Sequence, residues 1–342
     1  MSHQNSSSIS HILRTSATFA GAALGALALA NAVIAARTPP LAFRLGGQFG
    51  RYPARFGDLA FTVAGSGTPI LLLHGLGAGR SMAEWRRVFE PLSAKHTVYA
   101  LDFPGWGLSD ANREGYNATD FAEVITNFIR DIIGAPTIVL AAGEAGVFAA
   151  LAARGGAPIQ SLILSCPVPP ALDAPSGESR AEAMLQRAMS GNLLSAPILG
   201  TAALNWNRSR ARLAQFALSH GFFDKEFGAR ESLLWHVAAH QKGTETGQKS
   251  LLQGAFGCDW RAAWSGIAVP SLLIWGRNAL REGYASVPEW LTLRPDAHLE
   301  VVENALVFPH LEQPERFLEL VFAALENENF TKNGESKRAS TS

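Results

Sequence analysis

A chain of 342 residues is long enough for one large α/β domain or for two smaller domains. Hydrophobic residues make up 47% of the chain and charged residues 17%, a balance that allows a sizeable buried core. The formal net charge is zero and no lysine- or arginine-rich run stands out, which argues against nucleic acid as a partner.

The amino terminus differs in composition from the rest of the chain. Residues 1–18 are rich in serine and threonine, and residues 19–36 are almost wholly apolar, close to the minimum length of a membrane-spanning helix. More arginines follow this segment than precede it, which favours a cytoplasmic location for the domain that follows. We therefore predict that residues 1–37 are a targeting or anchor segment, and that residues 19–36 attach the protein to the membrane as a single anchor.

Three alternatives to an anchor stay open at this point, and one of them is a helix that is merely peripheral. Ala28-Leu29-Ala30 fits a small-x-small cleavage site, so the segment is also typical of a signal peptide that is removed on export. The absence of acidic residues before Asp58 is compatible with a transit peptide.

From residue 59 onward, strand-like and helix-like segments alternate. Continuous apolar runs such as residues 69–73 (PILLL) predict strands that are buried on both faces. The alternation predicts a parallel sheet with right-handed crossovers and helices on both faces. The predicted strands cover 59–64, 69–73, 96–101, 137–142, 159–166, 271–275 and 298–302, and the predicted helices cover 82–92, 118–133, 145–154, 285–293 and 312–325.

The alternation stops between the strand predicted at 159–166 and the strand predicted at 271–275. Residues 168–262 carry helical patterns, for example at 179–189, 206–218 and 232–240, and predict a helical cap over the carboxyl edge of the sheet. The polar residues 327–342 are predicted to be disordered. The predicted organisation is therefore a core of residues 38–167 and 263–326, a cap of residues 168–262, and a tail of residues 327–342.

Four segments resemble motifs of the α/β-hydrolase superfamily, over roughly 270 residues and in the family's order. They are His74-Gly75-Leu76-Gly77, the Asp102–Asp110 loop (DFPGWGLSD), the Ala142–Gly146 strand-to-helix junction (AGEAG), and Val301–Pro314 (VVENALVFPHLEQP). The resemblance implies a mostly parallel, doubly wound α/β sheet with a helical cap inserted after the sixth strand.

The junction departs from the family's G-x-S-x-G pattern at its centre, where Glu144 stands in place of the nucleophile. The family holds this residue in a strained conformation, which predicts that some contact restrains Glu144. The amino-terminal end of the following helix can stabilise a carboxylate there. Three readings stay open: a carboxylate that binds or polarises a ligand, a covalent nucleophile, or a glutamate that caps the helix or pairs with an arginine.

The other two catalytic positions implied by the resemblance are also occupied by residues that lack the required chemistry. The acid position holds Ala279 and the base position holds Val307. Neither residue can supply the imidazole or the carboxylate that acyl transfer by a serine nucleophile needs. His310 lies three residues beyond Val307, and we expect it to point away from the site.

The remaining candidate residues follow from the resemblance and from the position of the cap. In the family, the turn at His74-Gly75-Leu76-Gly77 donates a backbone N–H to the oxyanion hole, and His74 is expected to organise this oxyanion loop. The cap histidines His236 and His240 could reach the sheet edge. Trp106, Trp206 and Trp235 could line an apolar pocket. The candidate oxyanion and pocket residues are His74, Gly75, Leu76, Gly77, Ala145 and Trp106.

No cofactor or metal is predicted, because no metal-ligand spacing and no phosphate-binding glycine loop is present in the sequence. The two cysteines, Cys166 and Cys258, are too few for a disulfide framework and are expected to be buried thiols.

The sequence thus predicts a scaffold without its usual catalytic residues, and three functions stay open. The first is a membrane-associated, non-catalytic homologue that binds a small apolar ligand or a protein partner. The second is a hydrolase-like enzyme that acts on a small ester, lipid or carbonyl substrate by non-standard chemistry involving Glu144. The third is a structural subunit of a membrane complex. Fold alone does not decide between them.

Overall fold

The computed structural model describes residues 21–41, 45–113, 115–170, 194–281, 287–327 and 330. Its centre is an eight-stranded sheet in the order β1-β2-β4-β3-β5-β6-β7-β8. The strands are β1 (Gln48–Ala54), β2 (Gly57–Ala64), β3 (Pro69–Leu73), β4 (Thr97–Leu101), β5 (Thr137–Ala142), β6 (Ile159–Ser165), β7 (Ser271–Gly276) and β8 (His298–Val302).

The sheet is mostly parallel, as predicted. Strands β3 to β8 pair in parallel, whereas β2 pairs in antiparallel orientation with both β4 and the edge strand β1. The first strand was not predicted, because its sequence QFGRYPA combines a glycine, a proline and an arginine with few apolar residues. It lies at the edge of the sheet, where a proline is tolerated.

The helices fall into those of the core and those of the cap. The core helices are α2 (Phe89–Ser93), α3 (Ala118–Phe128), α4 (Ala145–Arg154), α9 (Trp260–Ser265), α10 (Arg277–Arg281), α11 (Val287–Leu293), α12 (Pro309–Glu312) and α13 (Pro314–Glu326). The cap helices are α5 (Pro197–Asn207), α6 (Arg210–Phe216), α7 (Lys225–Ala239) and α8 (Thr244–Leu252). Helix α1 comprises residues 21–37.

Burial explains why the central strands form. Every residue of β5 (TIVLAA) is buried, and so are four of the five residues of β3 (PILLL). Two hydrophobic clusters cover the two faces of the sheet, with Phe121, Phe148 and Trp264 on one face and Trp85, Phe89 and Phe317 on the other. The carboxyl ends of β3 and β5 lie side by side at the point where the strand order reverses, which is where open α/β sheets bind ligands.

The cap follows β6, so its predicted place in the topology is confirmed. The predicted helix at 232–240 lies within α7, whereas the predicted helix at 206–218 is divided among α5, α6 and a π-helical turn at Ala217–Gly221. The predicted helix at 179–189 and the predicted disordered tail lie outside the described residues, apart from Asn327 and Phe330.

Two further core segments differ from prediction. The predicted helix at 82–92 is a short 3₁₀ turn, Met82–Trp85, followed by α2. Ala279 belongs to α10, a helix that the sequence patterns did not indicate. In both places, tertiary packing around the carboxyl edge of the sheet determines the local conformation more than the residue pattern does.

The prediction of a membrane-spanning anchor is wrong. Among the described residues, no helix has both the length and the apolar character needed to cross a bilayer. Helix α1 instead contacts the cap: the Asn31 amide donates to the carbonyl of Ile198 at 3.2 Å, and its oxygen accepts from Asn205 at 2.8 Å. The backbone that follows α1 is bound by Gln241, which contacts the Leu41 N–H and the Pro39 carbonyl.

Candidate functional site

Two loops form the centre of the site, one after β3 and one after β5. The Cα atom of Gly75 lies 3.7 Å from the position that a Cβ atom of Gly143 would occupy. The same hypothetical atom lies 3.9 Å from Val168, at the point where the chain leaves the sheet for the cap. These small residues let the two loops come together at the carboxyl edge of the sheet.

The strand-to-helix junction after β5 forms a sharp turn, the elbow, whose left-handed conformation falls on Gly143 with φ of 54°. Glu144 is right-handed, with φ of −62° and ψ of −27°. The expectation that Glu144 is strained is therefore wrong, because a glycine takes the conformation that would be costly for glutamate. With Gly143 at the apex, the next residue in the chain is Glu144. The predicted oxyanion residue Ala145 lies one position further on, fully buried at the start of α4.

The Glu144 side chain turns back over the oxyanion loop. Its Oε2 accepts a hydrogen bond from the Leu76 N–H at 3.0 Å. The pKa of Glu144 is raised, because the effect of burial is the largest. Hydrogen bonds from its own backbone N–H and the Leu76 N–H, and the charge of Arg80, offset part of this rise. Glu144 makes no side-chain capping hydrogen bond to α4. The carboxylate therefore lies where the N–H groups of the two loops would otherwise receive a substrate oxyanion.

A buried glutamate supports the oxyanion loop from behind. The Gly75 N–H donates to Glu84 Oε2 at 3.3 Å, and Arg80 Nη1 lies 3.3 Å from the same oxygen. His310 Nε2 lies 3.2 Å from the other oxygen, Oε1. Burial would raise the pKa of Glu84, but Arg80 and His310 outweigh it and hold that pKa at about 2. Glu84 is thus an ionised carboxylate inside the protein.

Arg80 links this network to the cap. Its guanidinium lies 3.8 Å from the ring centre of Phe308 and 4.8 Å from that of Trp235, so it is enclosed between aromatic side chains. The charges of Glu84, Glu144 and Glu231 all act on it. A cavity of about 30 Å³, room for roughly two water molecules, lies against this cluster.

Glu231 enters the cluster from α7 of the cap. It is buried and forms an ion pair with Arg86. Helix α7 packs closely on the oxyanion loop, because a Cβ atom on Gly79 would lie 2.2 Å from the Trp235 carbonyl oxygen. Cap and oxyanion loop are therefore fixed to each other by buried charges and by direct backbone contact.

His74 and Trp106 hold the oxyanion loop in place. His74 Nδ1 lies 2.7 Å from the Gly75 carbonyl, and its Nε2 accepts from the Phe103 N–H at 3.1 Å. Burial lowers the pKa of His74 to about 4, so the ring is neutral. Trp106 Nε1 donates to the Gly77 carbonyl at 2.9 Å, and its ring is buried. Both side chains contact the backbone of the loop, and their hydrogen bonds fix its shape.

The structure brings the acid and base positions together, as the fold requires. The Asn278 N–H donates to the Ala305 carbonyl at 3.0 Å, and a Cβ atom on Gly276 would lie 2.0 Å from the Leu306 carbonyl oxygen. Ala279 is fully buried, and Val307 is half-buried against the cap. Both positions therefore contribute packing without a titratable group.

His310 is turned into the core, where it contacts Glu84 behind the oxyanion loop. Its Nδ1 lies 2.9 Å from Ser165 Oγ, and both side chains are fully buried. Together with Glu84 they form a serine, a histidine and a carboxylate in a row. Because the Ser165 hydroxyl is shielded from solvent, the row supports the loops rather than offering a nucleophile.

The predicted role of the cap histidines is not seen in the structure. His236 Nδ1 lies 3.0 Å from the Arg208 carbonyl, and His240 Nδ1 lies 2.8 Å from the His236 carbonyl. Their contacts are thus within the cap. Trp206 is 60% exposed, so the expectation that it lines a buried pocket is wrong.

Sequence reasoning missed the charged cluster of Arg80, Glu84 and Glu231. A signal was present, because Arg80 and Glu84 have the spacing of an i,i+4 ion pair directly after the oxyanion motif. Their burial depends on the cap, whose position over these residues the sequence pattern does not predict. Across the part of the chain that the structure describes, no three histidine, cysteine, aspartate or glutamate side chains are arranged to hold a metal ion.

Comparison with known proteins identifies the family. The model of the alpha/beta hydrolase family matches residues 70–320, and the chain belongs to that family. A putative carbamate hydrolase, RutD, of Azorhizobium caulinodans is 27% identical over 252 residues, covering 72% of this chain and 86% of that protein. An uncharacterized protein of Mycobacterium tuberculosis is 39% identical over 74 residues, covering 22% of this chain and only 20% of that protein.

A solved structure with a similar fold is the epoxide hydrolase CorEH without ligand. It is 19% identical, with a TM-score of 0.65, and the match covers 82% of this chain and 99% of that chain. At this level of identity the similarity shows a shared fold, and function has to be argued from the site.

Proposed function

We propose that this protein is an α/β-hydrolase homologue that has lost serine-hydrolase chemistry and binds a small apolar ligand or a protein partner. The observation that carries the proposal is the position of the Glu144 carboxylate, which accepts a hydrogen bond from the Leu76 N–H. An oxyanion hole stabilises a transition state only if its donors are free when the negative charge develops. A resident carboxylate both occupies that donor and repels an oxyanion.

Three further positions support the proposal. The apex of the elbow is Gly143, which has no nucleophilic side chain. Ala279 and Val307 provide neither an acid nor a base. Serine proteases that have lost the triad still accelerate the reaction about 10³- to 10⁴-fold, and this residual activity depends on a working oxyanion hole. Here the hole is filled as well, so little acceleration is expected to remain.

A second candidate is an enzyme that uses Glu144 as an acid or a base. Burial raises the pKa of this half-buried carboxyl and so favours its protonated form, which can act as a proton donor. The hydrolase names of relatives such as the putative carbamate hydrolase also favour it. Under this reading the substrate is a small ester, lipid or carbonyl compound.

Hydrolysis of short- and medium-chain nitrophenyl esters separates the two candidates. The proposal predicts that the wild-type protein and Glu144→Ala both show no turnover above the uncatalysed rate. Turnover by the wild type that disappears in Glu144→Ala would contradict it and support the carboxyl-centred enzyme. Glu226→Ala, which removes an exposed glutamate of the cap, is the matched control.

A further inference from the structure

The large hydrophobic side chains that are exposed to solvent are concentrated on one part of the molecule. Among the described residues, all of them lie on α1 or in the cap, and none lies on the core of sheet and helices. Soluble monomeric proteins rarely expose a large continuous apolar patch unless another surface covers it. Those that belong to α1 and α5 are Leu24, Leu27, Leu29, Val33, Leu199 and Trp206.

Helix α1 touches the cap along one narrow stripe and is otherwise exposed. Ala28, Asn31 and Ile34, at intervals of three residues, are half-buried, whereas the other residues of the helix are exposed. Apart from Asn31 and Arg37, every residue of α1 is glycine or an apolar residue. The helix therefore presents an apolar surface to the outside of the molecule.

The exposed apolar side chains of α5 lie beside this helix. Asn31 bonds to Ile198 and Asn205 of α5, and Leu199 and Trp206 are the next residue after each of these. Because Leu199 and Trp206 are seven residues apart, they lie on the same side of α5, about two turns from each other. We call the exposed apolar side chains of α1 and α5 together the α1–α5 face.

The charges in this part of the chain have one sign. Residues 21–41 and 194–223, which include α1, α5 and α6, contain no aspartate, glutamate or lysine, and four arginines. Arg208 is buried and pairs with Glu245 of α8. Arg37 and Arg210 are exposed and Arg212 is half-buried, so they contribute positive charge to the surface. A second copy of the chain on this face would bring like charges together, whereas an anionic surface would be attracted.

We propose that the α1–α5 face binds the surface of anionic lipid bilayers, with its apolar side chains in the interfacial region and its arginines on lipid phosphate groups. Trp206 suits this region, because an indole ring combines a large apolar body with an N–H donor. The contact is peripheral: the 17 residues of α1 extend over about 26 Å and the helix is held against α5, so it rests on the bilayer without crossing it. This inference concerns a surface other than the site at Glu144 and goes beyond the proposed function.

Flotation of the full-length protein with vesicles of phosphatidylcholine, with and without phosphatidylglycerol, tests the inference. We expect the protein to float with the anionic vesicles, and its apparent affinity for them to fall by about tenfold or more in about 1 M salt. Trp206→Ala and Leu29→Asp replace side chains that are 60% and 67% exposed, so they leave the packed interior unchanged. Each should weaken binding by about tenfold, and Arg210→Glu should weaken binding to the anionic vesicles by about tenfold or more.

Matched controls lie on α7, outside the α1–α5 face. Leu233→Asp and Arg230→Glu also replace exposed side chains and should bind like the wild type. Absence of vesicle binding by the wild type, or binding that is unchanged in both Trp206→Ala and Leu29→Asp, would overturn the inference. A dimer in sedimentation velocity that Leu29→Asp dissociates would assign the face to a second copy and would also overturn it. The ester assay tests the proposed function separately, because none of these substitutions alters the loops around Glu144.

Discussion

Replacing Glu84 by alanine tests whether the buried charge network holds the oxyanion loop. The substitution removes the acceptor for the Gly75 N–H and leaves the Arg80 guanidinium buried without its nearest partner. Breaking a buried ion pair by removing one member typically costs about 3–5 kcal/mol. A carboxyl whose pKa is held at about 2 instead of 4.5 gives a similar figure, about 3 kcal/mol at neutral pH.

The sign of the pH dependence follows from the direction of this pKa change. The folded-state pKa of Glu84 is below its unfolded value, so its contribution to stability is complete above pH 4.5 and is lost as the pH falls towards 2. The difference in unfolding free energy between wild type and Glu84→Ala should therefore shrink on acidification.

Urea unfolding followed by tryptophan fluorescence at pH 7 and pH 3 measures both quantities. We expect a loss of about 3 kcal/mol at pH 7 and a smaller loss at pH 3. Glu226→Ala is the control, because that glutamate is exposed in its pair with Arg230 and should change stability by less than about 0.5 kcal/mol. A loss below about 1 kcal/mol at pH 7, or the same loss at both pH values, would refute the reasoning.

Three other substitutions test the frame of the site. Trp106→Phe removes the hydrogen bond to the Gly77 carbonyl and should lower the free energy of unfolding by about 1–2 kcal/mol in urea melts; no change would show that the bond is dispensable. Gly143→Ala meets no atom closer than 3.7 Å, so it should cost only the strain of its positive φ, about 1 kcal/mol in the same assay; a neutral effect would contradict the left-handed apex. Burial lowers the pKa of His240 to about 4, so stability falls between pH 6.5 and 4; His240→Gln should flatten that fall in thermal melts, and an unchanged slope would count against it.

The sequence was most informative where burial is complete. The continuous apolar runs PILLL and TIVLAA predict central strands, and both form such strands. Helix α4 has the bounds that were predicted for it, Ala145–Arg154. The edge strand β1 escaped prediction because only one of its residues, Tyr52, is buried. A hydrophobic pattern does not predict a strand whose side chains are largely exposed to solvent.

The site was predicted in outline and misjudged in detail. Motif spacing predicts Glu144, Ala279 and Val307 as the three catalytic positions, but the left-handed conformation at the elbow falls on Gly143 and not on Glu144. The pairing of Glu84 with His310 joins positions 226 residues apart, and no local pattern reports such a contact.

The position of the Glu144 carboxylate is the central claim, and the amide resonance of Leu76 reports on it most directly. In a two-dimensional ¹⁵N–¹H spectrum, an amide that donates to a carboxylate is shifted downfield. We expect the Leu76 amide resonance to move upfield in Glu144→Ala by more than the resonances of amides outside the two site loops. A Leu76 amide that is indifferent to Glu144→Ala would show that the oxyanion donor is free, and the proposed loss of hydrolase chemistry would lose its main support.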